Sequence, residues 1–159
     1  MHPAKGRALE SHPGALESHP RSSLRDDALG DVWVDADILG LGDAAALTTA
    51  RRRRTASPVD FRFRYELPVV AGSHGQATLR EALQAADEQM SDVYLALKTT
   101  GHERGDAVQI AQGYINLQRL LAGGRDLVSA PVAMQGRFCH AGTLQVSLSA
   151  LDALRHAVS

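Results

Sequence analysis

Residues 78–124 read TLREALQAADEQMSDVYLALKTTGHERGDAVQIAQGYINLQRLLAGG, and this stretch decides the fold that we predict. Its first half carries apolar residues that recur at steps of four, three, four, three and four. They are Leu79, Leu83, Ala86, Met90, Val93 and Leu97. This spacing is typical of a single apolar seam along a helix. The sequence therefore predicts a long first helix.

A second helix is predicted in the other half of the same stretch. Its seam consists of Ile110, Tyr114, Leu117 and Leu121. Thr78 and Glu81 form a capping box at the start of the first helix, and Gly101 is suited to its end. Gly113 lies in the middle of the second helix, where it allows close approach of the first. The short connection makes the two helices antiparallel neighbours, so we predict a helical hairpin over residues 78–122.

Strands are predicted on both sides of this hairpin. Residues 31–35 alternate between polar and apolar types, and Phe61, Phe63 and Tyr65 alternate with charged residues. Pro68 places the end of the second strand at a sheet edge. Residues 132–138 and 143–148 form a strand hairpin, and residues 149–158 form a terminal helix. The predicted fold is α+β, with a small antiparallel sheet of about three to four strands packed against the long helical hairpin.

The first 29 residues have a different character from the rest. The six residues ALESHP occur twice, at positions 8–13 and 15–20, and Pro and Gly interrupt both copies. We predict that residues 1–29 are a disordered tail and that residues 30–159 are one domain. His12 and His19 lack a third ligand at fixed spacing, so no metal site is predicted.

Composition limits the compartment and the partners. The formal net charge is −1, so the whole protein is not a polyanion binder. Cys139 is the single cysteine, which excludes an internal disulfide and fits a reducing compartment. No apolar run is long enough to cross a membrane, and the N-terminus lacks the apolar core of a secretory signal. We predict a cytoplasmic protein, and the frequent Ala, Arg, Gly and Leu suggest a bacterial source.

A basic cluster is the candidate for nucleic-acid binding. It consists of the run Arg51, Arg52, Arg53 and Arg54 together with Arg62 and Arg64. Such a cluster binds a phosphate backbone through charge and counterion release. The alternative is a solvated loop beside an edge strand whose charged side chains prevent pairing with another chain. Phe61, Phe63 and Tyr65 alternate with Arg62 and Arg64 and are predicted to face the core, so they are not a base-stacking surface.

A second candidate site is the turn before the first helix. Backbone amides around Ser73, His74, Gly75 and Thr78 would hold a small anion at the start of the helix. The lysine of a nucleotide-binding phosphate loop is missing, which argues against a nucleoside triphosphate. The alternative is a simple turn.

No catalytic signature is present in the sequence. The chain has no C-x-x-C or H-E-x-x-H motif, and no cofactor is predicted. The leading hypothesis is a small, non-catalytic accessory protein that binds a protein partner, or itself, through the helical hairpin. Tyr94, Leu95 and Leu120 lie off the two seams and would widen the apolar surface for that partner. Nucleic-acid binding is the alternative, and an enzyme or anion binder at residues 72–78 is the second.

Overall fold

The computed structural model describes residues 4–11, 30–53, 58–100, 107–136 and 140–159. Over these residues the chain forms one antiparallel sheet, three short helices and a 3₁₀ turn at Glu88–Ser91. The strands are β1 (Ala4–Ser11), β2 (Asp31–Ile38), β3 (Arg52–Arg53), β4 (Arg64–Val69), β5 (Asp92–Thr100), β6 (Ala107–Asn116), β7 (Leu127–Gly136) and β8 (His140–Leu148). The helices are α1 (His74–Gln84), α2 (Leu117–Gly123) and α3 (Leu151–Val158).

The sheet is curled, and its strand order is β3-β2-β5-β6-β7-β8-β1-β4. Pairing between β5 and β6 runs along both strands, from Asp92 with Asn116 to Thr100 with Ala107. Among the described residues, pairing between β6 and β7 joins Ala111 with Gly136 and Gln112 with Gln135. Apolar side chains of β2, β5 and β6 and of β4, β7 and β8 share one buried cluster, so β3-β2-β5-β6 and β7-β8-β1-β4 form two facing halves of the curled sheet.

The core lies between these two halves. In β5, Val93, Leu95, Leu97 and Thr99 alternate inward and are almost completely buried. The facing half contributes fully buried apolar side chains such as Met134. Helices α1, α2 and α3 pack at one end, where Leu79, Leu117 and Leu154 are buried. Because the apolar side chains of each half need the other half to cover them, the sheet closes around one core.

The predicted helical hairpin is wrong. Most of residues 92–116 form the adjacent antiparallel strands β5 and β6, and the helices at either end are short. The proposed seam runs through four different local structures. Leu79 and Leu83 lie in α1, Ala86 lies in the bend that follows, Met90 is exposed in the 3₁₀ turn, and Val93 and Leu97 lie in β5. Only Leu79 and Leu83 share a helix, so the spacing of three and four is met by residues of different elements.

The predicted sheet of about three to four strands is wrong for the same reason. Over the described residues the sheet has eight strands, β1 to β8, of which β3 has only two residues. Leu95 and Leu120, which the sequence assigned to a partner surface, are core residues with 1% and 6% exposure.

Several local predictions are confirmed. Residues 31–35 lie in β2, and Pro68 lies in β4, which is the last strand in the sheet order. The terminal helix is α3, and its N-terminus is held by a distant residue rather than by a local cap. The Asp126 carboxylate accepts hydrogen bonds from the backbone N–H groups of Ala150 and Leu151, both at 2.8 Å.

The predicted tail divides into two parts. Residues 4–11 lie in the sheet as β1, which pairs with β8 and β4, so over these residues the chain is part of the domain. Residues 12–29, with most of the ALESHP duplication, lie outside the described residues, and disorder there stays a prediction. Gly101 and Cys139 also lie outside them.

Candidate protein-interaction surface

The side of β2, β5 and β6 that faces away from the core is the candidate interaction surface. We call it the outer face. Strand register places its residues in rows, with Trp33 opposite Lys98, Asp35 opposite Ala96, and Asp37 opposite Tyr94. The rows continue onto β6, where Gln112 lies opposite Ala96 and Tyr114 opposite Tyr94. Directly opposed residues have Cβ atoms about 4.5–5.5 Å apart, so these side chains form one continuous surface.

One end of the outer face is built around Trp33. The guanidinium carbon of Arg51 lies 4.3 Å from the centroid of the Trp33 ring, which is a cation–π contact. Residues 47–53 run beside β2, because Leu47 O accepts a hydrogen bond from Ala36 N and Arg52–Arg53 pairs with β2 as β3. This flank brings Arg51 over the indole. Only 4% of Trp33 is exposed although it points away from the core.

The middle of the outer face is fixed by polar contacts. Lys98 Nζ lies 2.7 Å from Asp35 Oδ2, and both side chains are about 30% exposed (32% and 29%). Asp35 Oδ1 also accepts a hydrogen bond from the hydroxyl of Thr48 at 2.8 Å. Ala96 lies beside this ion pair and is 2% exposed. The middle is therefore ordered by side-chain contacts before any partner arrives.

The other end carries a tyrosine pair, Tyr94 and Tyr114. The ring centroids are 5.3 Å apart and the rings are inclined at 56°. The hydroxyl of Tyr94 donates to Gln112 Oε1 at 3.1 Å, and Gln109 Nε2 donates to the same oxygen at 3.2 Å. These bonds hold Tyr94, whereas half of Tyr114 is exposed. An exposed aromatic ring that rests on a fixed one is a typical contact residue for a partner.

Comparison with protein families shows which family the chain belongs to. The family described as "Retinitis pigmentosa G-protein regulator interacting C-terminal" matches residues 15–159. The chain belongs to this family. No curated protein matches the chain.

Solved structures show the fold of this family member. One, described as "CC2D1B coordinates ESRCT-III activity during the mitotic reformation of the nuclear envelope", has a TM-score of 0.64 and 14% identity, and the match covers 97% of this chain and 57% of that chain. A second, described as "C2 domain-containing protein from putative elicitor-responsive gene", has a TM-score of 0.55 and 11% identity and covers 92% and 88%. The fold is C2-like, and this chain spans little more than half of the first structure.

The family description indicates that this chain is a protein-interaction domain. This agrees with the general class of function predicted from the sequence. The helical hairpin as the means of interaction is wrong, as described above. Nothing in the comparisons supports a bacterial source, a second copy of the chain or a nucleic acid as partner.

The arginines of the predicted nucleic-acid site lie in different strands and loops, and nucleic-acid binding by them stays a prediction. Arg52 and Arg53 form β3 at one end of the sheet order, whereas Arg62 and Arg64 lie before and in β4 at the other end. Arg51 stacks on Trp33 as described. Arg62 and Arg64 contact acidic neighbours, Asp60 at 3.4 Å and Glu66 at 3.5 Å. Arg54 lies outside the described residues.

The predicted anion site forms the start of α1. The Ser73 hydroxyl oxygen accepts a hydrogen bond from Gln76 N at 3.2 Å and is the N-cap. Gln76 Oε1 accepts from Gly72 N at 2.9 Å, and the Thr78 hydroxyl donates to His74 O at 2.9 Å. Gly75 is half-buried within the first turn of the helix. Several polar groups of this turn are thus engaged by one another, and anion binding there stays a prediction.

Other features of the described residues offer no catalytic centre. In this part of the chain no group of three His, Cys, Asp or Glu side chains is placed to hold a metal ion. A cavity of about 30 Å³ lies where the helices meet the sheet, and its walls are apolar. These apolar walls present no polar group that could fix the orientation of a ligand. None of the described helices has the length and apolar character needed to span a bilayer.

The sequence analysis did not predict that the residues of the outer face lie together on one surface. It placed Tyr94 beside one helix seam and Tyr114 in another, and it treated Trp33 only as part of a short strand. The signal was available as a period of two, because Tyr94, Ala96 and Lys98 alternate with Val93, Leu95 and Leu97. The partnership of Trp33 with Arg51 depends on the turn between them and carries no local sequence signal.

Proposed function

We propose that this domain binds a protein partner through the outer face of β2, β5 and β6. The observation that carries the proposal is that two contact residues stand on one ordered surface: exposed Arg51, which is held over the buried Trp33 ring, and half-exposed Tyr114, which lies against Tyr94. Tryptophan, tyrosine and arginine are the residue types that contribute most to binding at protein interfaces. The chain has only one Trp and three Tyr, and three of these four aromatic residues lie on this face.

The order already present in the surface favours tight binding. Association normally costs free energy for each long side chain that is immobilised. Here Lys98 and Asp35 already hold each other at 2.7 Å, and Tyr94 is fixed by Gln112. A partner therefore meets side chains whose conformations are largely set, and less of its binding free energy is spent on ordering them.

The family description suggests the identity of the partner. It names an interaction with the retinitis pigmentosa G-protein regulator, and we propose a protein of that class as the partner of this chain. The C2-like fold supports the proposal only by supplying a rigid sheet on which such a surface can be displayed.

The test is a binding measurement with surface variants. Isothermal titration calorimetry would compare the wild-type chain with Tyr114→Ala and Arg51→Ala, using the regulator protein from the same organism. Both variants are expected to weaken binding about tenfold, because each removes an exposed contact residue of a type that contributes strongly at interfaces. Val128→Ala is the matched apolar control, since Val128 is 81% exposed in β7, outside the outer face. It is expected to leave the affinity unchanged.

Two results would overturn the proposal. If Val128→Ala weakened binding while Tyr114→Ala did not, the partner would use another surface. If the wild-type chain bound no regulator protein at all, the class of partner would be wrong. Circular dichroism of each variant would establish that the fold is intact before the affinities are compared.

A further inference from the structure

We infer that the tyrosine end of the outer face receives a basic side chain, an arginine or lysine, of the partner protein. This inference rests on the proposed function and makes it more specific. It starts from the row that runs across three strands, in which Asp37 of β2 lies opposite Tyr94 of β5 and Tyr94 lies opposite Tyr114 of β6. A carboxylate and two aromatic rings therefore share one row.

The two rings form an open notch. Their centroids are 5.3 Å apart at an angle of 56°, so the faces are not stacked against each other. Half of Tyr114 is exposed, which leaves ring surface for a ligand. A guanidinium or ammonium group is attracted to the electron-rich face of such a ring when it comes within about 6 Å of the centroid. The same domain already uses this contact between Arg51 and Trp33.

The carboxylate beside the notch is exposed and only partly engaged. Asp37 Oδ1 accepts a hydrogen bond from Gly40 N at 2.8 Å, and within the described part of the chain Oδ2 has no partner. The bond to Gly40 fixes the direction of the carboxylate. A cation on the tyrosine rings would therefore find an acceptor that is already oriented at the neighbouring position of the row.

Charge is distributed unevenly along the outer face. Arg51 and Lys98 lie toward the tryptophan end, whereas Asp37 and Asp92 lie toward the tyrosine end. Arg119, the nearest basic residue on α2, is engaged by Glu88 at 2.6 Å. That hydrogen bond and the negative charge of Glu88 raise the pKa of Arg119. The tyrosine end is therefore left with a local excess of negative charge, which attracts a basic group and repels an acidic one.

The test uses a short fluorescein-labelled peptide of alternating glycine and arginine, followed by fluorescence anisotropy at low salt. The matched probe replaces each arginine by citrulline, which keeps the shape and removes the charge. The arginine peptide is expected to bind and the citrulline peptide to bind at least about fivefold more weakly. Tyr114→Ala and Asp37→Asn are each expected to weaken the arginine peptide about threefold to fivefold.

Asp152→Asn is the control for net charge. Asp152 is exposed on α3, so this variant changes the total charge as Asp37→Asn does but leaves the outer face intact. It is expected to bind like the wild type. Equal binding of the two peptides, or an equal loss in Asp37→Asn and Asp152→Asn, would overturn the inference. If Tyr114→Ala still weakened binding of the regulator protein in that case, the proposed function would stand without this specificity.

Discussion

At the scale of single residues, Gly113 decides how closely β6 and β7 approach. A Cβ atom at this position would lie 2.7 Å from Met134 Sδ, 2.9 Å from Val132 Cγ1 and 3.0 Å from the backbone oxygen of Ala133. One of these neighbours is backbone and another is a branched side chain, so neither moves away without cost. The absence of a side chain at Gly113 is what lets β7 lie this close to β6.

We therefore expect Gly113→Ala to destabilise the fold by about 1–3 kcal/mol, the usual cost of overpacking a core. Chemical denaturation by urea, followed by circular dichroism, measures the difference. Gly123→Ala is the matched control, because no atom lies within 4 Å of its Cβ position at the end of α2. In a helix this change is expected to stabilise by about 0.5–1 kcal/mol. Equal effects of the two substitutions would contradict the role of Gly113.

At the scale of elements, the junction between β5, β6 and α2 depends on Asn116. Its Nδ2 donates to Glu88 O at 2.8 Å and to Asp92 Oδ1 at 2.7 Å. Its Oδ1 accepts from Arg119 N at 3.0 Å, which caps α2. Buried Ser91 completes the junction by accepting from Gln118 N. One amide side chain thus connects the 3₁₀ turn, a strand and the start of a helix.

Asn116→Ala is expected to lower the free energy of unfolding by about 2 kcal/mol, through loss of the helix cap and of the part-buried hydrogen bonds to Glu88 O and Asp92 Oδ1. Asn116→Ser keeps an oxygen that accepts from Arg119 N, so it is expected to lose about half as much. Urea denaturation measures the free energy of unfolding of the three proteins, which is expected to fall from the wild type to the Ser variant and from the Ser variant to the Ala variant. A Ser variant as unstable as the Ala variant would show that the cap contributes nothing.

The same elements show how far the sequence predicts this fold. The strand at residues 31–35, the edge position of Pro68 and the terminal helix follow from local patterns, and the structure contains them. The error lies in residues 92–116, where a helical spacing was preferred to alternation. Val93, Leu95 and Leu97 satisfy a period of two, and Gly113 disfavours a helix. Local reasoning lacked the distant partners, such as Met134, that make alternation the correct interpretation.

The candidate surface was less predictable than the fold. Residue types on the outer face are visible in the sequence, but their grouping depends on the pairing of β2 with β5, which are separated by more than 50 residues along the chain. The contact between Arg51 and Trp33 depends on how residues 47–53 turn back along β2. Such long-range pairings depend on burial of the inner face of the sheet. A local sequence pattern does not show which distant strand will be the partner.

At the scale of the whole molecule, the two halves of the sheet share one core. Leu95 and Leu97 belong to one half, and Met134 and Val146 belong to the other, and all four are at most 2% exposed. All four also belong to one contiguous cluster of buried side chains. Neither half has a separate core that would survive without the other. We therefore expect the chain to unfold in a single cooperative transition, as small single domains usually do.

Trp33 makes this expectation measurable, because it is the only tryptophan and lies in β2, within the first half. Its fluorescence and the far-ultraviolet circular dichroism are expected to give the same urea midpoint. Met134→Ala, in the second half, removes a fully buried side chain and is expected to lower the free energy of unfolding by about 2–5 kcal/mol. The fluorescence midpoint of Trp33 should fall together with the dichroism midpoint, whereas Val128→Ala, at an exposed position of the same strand, should move neither. If Met134→Ala left the fluorescence midpoint of Trp33 unchanged, the two halves would unfold separately. The outer face of β2, β5 and β6 would then be stable without the facing half of the sheet.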